Sequence, residues 1–188
     1  MPDPRPEVLD FLLSRRSRPA KTLGEPGPDR DGLMRLLTAA ARIPDHKKLE
    51  PWRFVVIEGA ARDRLAAAAA TRLGEIGETR LDKYAEQFRQ GAVIVAVVSR
   101  PVPHPDVPEW EQQYSAACVC MTLLTAALAA GWGAQWLTGP LVRDARFLGE
   151  ALGCTGGETV AGFVHIGTER VAPSERDRPD VAAITTWA

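Results

Sequence analysis

Hydrophobic positions along the chain follow two periods. Val8, Leu9, Leu12 and Leu13 recur at helical spacing behind a proline-rich start, and Leu33, Leu36, Leu37, Ala40 and Ala41 do so again between about Gly32 and Arg42. Residues 23–31, with Gly24, Pro26, Gly27 and Pro28, read as a loop. Arg53 to Gly59 and the β-branched run Ala92 to Val98 read as strands apolar on both faces, hence central in a sheet covered from both sides. Helices are expected over about 60–74 and 143–152, a strand over 158–167, and a surface helix or lid of unfixed boundaries over 75–90. The dominant feature is the stretch from Tyr114 to Val142, which carries no charge. Its first part, rich in alanine, predicts a long central helix buried along most of its circumference, capped by Asp106 with Glu109 three residues later and stopped by Gly131. Ala134 to Thr138 then reads as a short buried strand, ended by Gly139 and Pro140. A transmembrane reading needs about 20 mostly apolar residues and fails here, because the stretch is rich in Ala, Ser, Thr and Gly and is broken at Gly131-Trp132-Gly133. The tail beyond Val171 has too few apolar residues to fold alone, and its end, Ile184-Thr185-Thr186-Trp187, predicts a strand seeking another subunit's sheet edge.

At 188 residues the chain suits one domain, 1–188. Strands and helices alternate in part, which predicts an α+β fold with a mixed central sheet between helical layers. A net charge of -1 supplies no global field for nucleic acid or an anionic membrane, so binding must be local. The segment from Met1 to Pro6 has no apolar run behind a basic one, which leads to the expectation of a cytoplasmic protein. Three cysteines, with Cys118 and Cys120 on nearly opposite sides of a helix, make neither a disulfide framework nor a zinc site; they read as buried, reduced thiols.

The chemistry that remains is narrow. The chain lacks the nucleophile elbow, the zinc-protease helix motif, the phosphate loop and the dinucleotide glycine turn. Asp45-His46 could form a catalytic pair, but no nucleophile matches it. Ser14-Arg15-Arg16-Ser17-Arg18 at the end of the first helix admits two readings: solvated cations complementing a helix dipole, or an anion site in which guanidinium groups bind phosphate and Ser17 adds a hydrogen bond. Arg42 and His46 add to the second. His165 alternates with apolar neighbours in a strand and reads as structural. With several tryptophans and no evident general base, the set fits a protein that binds a phosphorylated aromatic cofactor and leaves the chemistry to it.

Leu12-Leu13-Ser14-Arg15-Arg16-Ser17 resembles the opening motif of the FMN-dependent nitroreductase family, and the stretch from Ala41 to Gly59 is similar to its second motif, in the Pro-Asp-His-Lys version of the branch of small NAD(P)H nitroreductases. Val107 to Gln112, Ser115-Ala116 and Gly131 to Gly139 are similar to the same branch, so the resemblance spans nearly the whole chain and is weakest between Gly74 and Gln90. It implies a three-layer fold and a homodimer with FMN at the subunit interface. Carried over residue by residue, Arg15, Arg16 and Ser17 would hold the phosphate and ribityl end of FMN from one subunit, Arg42 and His46 would reach the same FMN from the partner, and Trp136, Leu137 and Thr138 would line the flavin. Ala126, Ala127, Leu128, Ala129, Ala130 and Gly131 match a stretch linked to NADH or NADPH.

Three departures from the family pattern bear on redox tuning. Leu137 stands where arginine follows the tryptophan, Glu50 where glutamine precedes Pro51-Trp52, and Lys48 where a small or amide residue is common. The reaction implied is ping-pong hydride transfer from NAD(P)H through FMN to an electron-poor acceptor such as a nitroaromatic or quinone. Two alternatives stand beside it: a flavin-sequestering protein of the same fold, and a flavin-free dimeric interaction module.

Overall fold

The computed structural model describes residues 3–188, so Met1 and Pro2, the start of the segment read as lacking a leader, lie outside the described residues. The fold is α+β, with helices on both faces of a five-stranded sheet. Its centre is β3 (Val93–Ser99), buried along its whole length. Val93, Val95 and Val97 point into one apolar cluster with α2 (Arg30–Ala40) and α5 (Glu109–Ala129). Ile94, Ala96 and Val98 point into another with α3 (Ala60–Glu75) and α6 (Ala145–Leu152). A strand covered on both faces needs no polar alternation, which is why its sequence reads as an unbroken β-branched run.

β3 pairs with β2 (Trp52–Glu58) on one side and β5 (Thr159–Glu169) on the other. The far edge of β5 takes β4 (Gly133–Leu137) against residues 163–167 and, beyond it, the two-residue β1 (Leu23–Gly24), a strand within the segment read as a loop. Every pairing among the described residues is antiparallel, where mixed directions were expected. The reason lies in the connection from β2 to β3: α3 carries the chain away and α4 (Leu81–Glu86) with the following turn brings it back to the end it left, so that Glu58 pairs with Val93. β2 is also an edge strand rather than a central one. Helices cover both of its faces, but it has no in-plane neighbour beyond β3, and Val56 remains exposed.

The segment 75–90 is anchored rather than free to act as a lid. Phe88 is fully buried and meets Phe163 edge-on at 4.9 Å and Phe147 at 6.0 Å between ring centroids.

In α5 the buried residues are Gln112, Ala116, Val119, Cys120, Leu123, Leu124 and Ala127, a single stripe at helical spacing. Each large aliphatic side chain in the stripe contributes about 1.5–3 kcal/mol. The expected burial around most of the helix is not reached within one chain: Tyr114 (66 % exposed), Cys118, Met121 and Ala129 lie open on the opposite side. Cys118 therefore departs from the buried thiols expected, while Cys120 and Cys154 conform; burial pushes the Cys120 thiol up to about 12. Asp106 does not cap the helix either. Pro108 holds the cap position in extended conformation, and no side chain bonds the first turn there. α1 (Pro6–Ser14) buries nothing, leaving Val8, Leu9, Leu12 and Leu13 open, and it forms with α5 an apolar groove lined by Phe11, Leu12, Met121 and Thr125. The tail shows the same imbalance. Residues 184–187, read as a strand, pair with no strand among the described residues, and Trp187 is 91 % exposed.

Candidate active site

The arginines after α1 stand in a cleft of about 290 Å3 with Phe11, Leu128, Trp132 and Gly133. Two backbone contacts pin this segment beside the start of β4: Arg18 N–H donates to Ala134 O at 2.8 Å, and Ala20 N–H to Gln135 Oε1 at 2.6 Å. Arg15 Nη2 donates to Ser17 Oγ at 3.3 Å, while Arg15 Nε is buried with no partner. Burial, then the nearby Arg178, then Arg16 lower the pKa of the Arg15 guanidinium. Arg16 Nη1 donates to Ser174 O at 2.5 Å and meets Glu175 Oε1 at 3.2 Å, and Glu175 also pairs with Arg178 at 2.9 Å. Two guanidiniums, Arg16 and Arg178, thus share one carboxylate, and beside them Arg15 Nε is buried and unpaired. A donor set of this kind suits an anion with several oxygens.

From this cleft β4 leads away toward Trp136 and Leu137, both half-buried, and the exposed Thr138. At strand rise the five steps from Gly133 to Thr138 cover roughly 15 Å, enough for an extended ligand whose anionic end lies among the arginines. Trp136 Nε1 donates to Ala161 O at 3.3 Å, which fixes the plane of the indole.

Arg42 and His46 lie elsewhere. His46 Nδ1 meets Glu111 Oε1 at 2.7 Å, and Ser115 Oγ donates to Pro44 O at 2.7 Å, so the loop before β2 rests on the first turns of α5. The loop's backbone is strained. Lys47, Lys48 and Glu50 have φ of 63°, 55° and 47°, in the left-handed region that costs a non-glycine residue about 1–3 kcal/mol. Asp45, the neighbour considered for a pair with His46, instead accepts from the N–H groups of Leu49 at 3.1 Å and Glu50 at 2.9 Å and clamps that loop. A cleft lined by Asp45, His46, Glu111, Tyr114, Ser115 and Cys118 results.

The expected site residues therefore form two sets at opposite ends of α5. From Glu111 beside His46 to Leu128 beside Arg15 is roughly 25 Å along the helix axis. Of the stretch matched to the nicotinamide nucleotide, Ala127 is fully buried and has no surface to offer a ligand; Leu128 and Gly131 line the arginine cleft, and Ala126 and Ala129 line the groove with α1. Sequence reasoning missed Glu111 and Glu175, whose partners His46 and Arg16 lie 65 and 159 residues away, and with Glu175 its neighbour Arg178. His165 is structural as expected: fully buried, with Nδ1 3.1 Å from Gln90 O, its pKa driven down to about 4 by burial. No cluster of metal-ligating side chains and no helix long and apolar enough to cross a membrane occurs among the described residues.

The nitroreductase-family sequence profile matches residues 12–168, which include both sets. The chain belongs to the nitroreductase family. It is 35 % identical over 186 residues to the Escherichia coli (strain K12) protein named "Putative NAD(P)H nitroreductase YdjA", covering 96 % of this chain and 99 % of that one. Among solved structures, a nitroreductase-like family protein from Bacillus cereus superposes with a TM-score of 0.83 at 23 % identity over 100 % of this chain and 99 % of the other. A nitroreductase with bound FMN from Bacteroides fragilis gives 0.76 at 20 % identity, over 97 % of this chain and 99 % of that one. At such identities these two likenesses speak for the fold, and the nitroreductase fold is the one described above.

Proposed function

We propose that this single-domain chain, 1–188, works as a homodimeric FMN-dependent NAD(P)H oxidoreductase. The observation that carries the reading is the placement of the two sets at opposite ends of α5. A two-fold axis passing beside the open side of that helix near Met121 would set the two copies of α5 antiparallel, so that the Arg15 set of one copy would face the His46 set of the other. The open sides of α1 and α5, the groove between them and the exposed tail are the apolar surfaces such a dimer would cover. Ile184 to Trp187 would then pair with a sheet edge of the partner.

Within each shared site Arg15, Arg16 and Ser17 would bind the phosphate and ribityl end of FMN, Trp136, Leu137 and Thr138 would line its ring, and Arg42 and His46 would reach it from the partner. Bound there, FMN would supply hydride transfer between NADH or NADPH and an electron-poor acceptor such as a nitroaromatic or quinone, in a ping-pong sequence. The protein's share is position and charge: cations at the phosphate, a fixed indole, and a strained loop holding His46 against Glu111. Leu137 removes a cation from this neighbourhood, whereas Lys48 adds one close to Glu50. The named YdjA relative and the FMN-bound Bacteroides fragilis structure support this reading.

The test is steady-state turnover by the FMN-loaded protein with NADH or NADPH and either a nitroaromatic or a quinone. Parallel double-reciprocal lines at several donor concentrations are expected. A protein that binds FMN but leaves it oxidised with either donor is a flavin-sequestering protein, not an oxidoreductase.

A further inference from the structure

One arginine of the cleft, Arg16, already holds an anion from the chain itself. Glu175 lies in the tail, 159 residues after Arg16, yet its Oε1 is 3.2 Å from Arg16 Nη1 and 2.9 Å from Arg178 Nη2, and the preceding carbonyl, Ser174 O, takes the same Arg16 nitrogen at 2.5 Å. The carboxylate that lines the cleft, Glu169, pairs with Arg18 at 3.2 Å. Arg16 is mostly covered, whereas Glu175 is open to solvent and is held by the backbone N–H of Arg176 and by these guanidiniums. Residues 174–178 thus form a strap in which the Glu175 carboxylate bridges Arg16 and Arg178.

We infer that Glu175 is a built-in competitor for the anionic end of whatever the arginines bind, so that a phosphorylated ligand takes up Arg16 only by displacing the strap. This rests on the flavin reading above and adds to it a control on affinity and on ligand form. A phosphate carries more charge and more acceptor oxygens than a carboxylate, so it wins Arg16 where both are present. A ligand without a phosphate has nothing to exchange for Glu175 and leaves the strap in place. The strap therefore weakens the hold on the phosphorylated cofactor without touching the contacts to its ring. It also makes cofactor loading sensitive to anything that draws the tail away, including its docking on a partner.

The variant that tests this is Glu175→Gln in the full-length protein, with FMN and riboflavin affinities measured by quenching of flavin fluorescence at low and high salt. FMN should bind about threefold to tenfold more tightly to the variant at low salt, the range expected for removing one partly screened competing charge. Riboflavin should bind both proteins alike, and the FMN difference should shrink at high salt. Unchanged or weaker FMN binding by the variant, or an equal gain for riboflavin, overturns the competitor role while leaving the flavin reading intact. If wild type and variant both fail to take up FMN, the flavin reading falls and the competitor role falls with it.

Discussion

The indole of Trp136 lies directly against the backbone of Gly162 on the neighbouring strand: a Cβ at Gly162 would come within 1.8 Å of Trp136 Nε1. The two residues are not opposite one another, since Trp136 pairs with Val164, so the ring leans along β5 to reach the space a side chain would otherwise fill. Gly162→Ala should expel the indole from this seat. The expected cost is about 1–3 kcal/mol of stability, as for overpacking elsewhere, together with weaker flavin binding. Denaturant unfolding and flavin titration of the variant check both.

His165 makes stability depend on pH. Burial holds its folded pKa at about 4, against an ordinary value of 6.5, so between these limits the unfolded chain binds more protons than the folded one. Its contribution is complete above pH 6.5 and is lost as pH falls toward 4, at up to about 1.4 kcal/mol per pH unit. Urea unfolding from pH 7 to pH 4 should show this slope, and His165→Phe should flatten it.

Asp144 does two jobs at the start of α6. It caps the helix by accepting from Phe147 N–H at 2.8 Å and accepts from Arg72 Nε and Nη2 at 3.0 and 2.9 Å, and the hydrogen bonds from Arg72 hold its carboxyl below the usual range. Asp144→Ala should lower stability by about 1–2 kcal/mol, the usual cost of losing such a cap. Asp144→Asn keeps a capping oxygen and should lose less. Chemical denaturation of the two variants separates the cap from the ion pair.

The loop that carries His46 should respond to Asp45→Ala locally rather than globally. Without the carboxylate, the Leu49 and Glu50 amides lose their acceptor and the left-handed residues lose their clamp. Faster hydrogen exchange at these two amides and weaker FMN binding are expected, with little change in the thermal midpoint. An unchanged exchange rate would show that the loop is held by other contacts.

Much of this architecture is legible from residue order, and the losses have a common cause. The run Ala92 to Val98 announces a strand covered on both faces, and β3 is that strand. The same inference fails for β2, because two apolar faces report helical layers above and below and say nothing about neighbours in the plane of the sheet. Small residues around α5 predict burial along most of its circumference, yet one chain covers only the stripe from Gln112 to Ala127. Arg15, Arg16 and His46 enter the candidate site through local motifs. Glu111 opposite His46 and Glu175 opposite Arg16 are set by folding across 65 and 159 residues, where no spacing rule reaches.

Whether each flavin site is built from two chains is tested most directly by complementation. Arg15→Ala damages the set beside the C-terminal end of α5, and Arg42→Ala combined with His46→Ala damages the other. Each variant dimer alone should bind FMN poorly, because every site contains one damaged half. Co-refolding the two produces mixed dimers in which one site carries both defects and the other carries none. Their flavin absorbance should reach half that of the wild-type dimer. Mixed dimers that bind no more FMN than the average of the two parents would contradict a site shared between subunits.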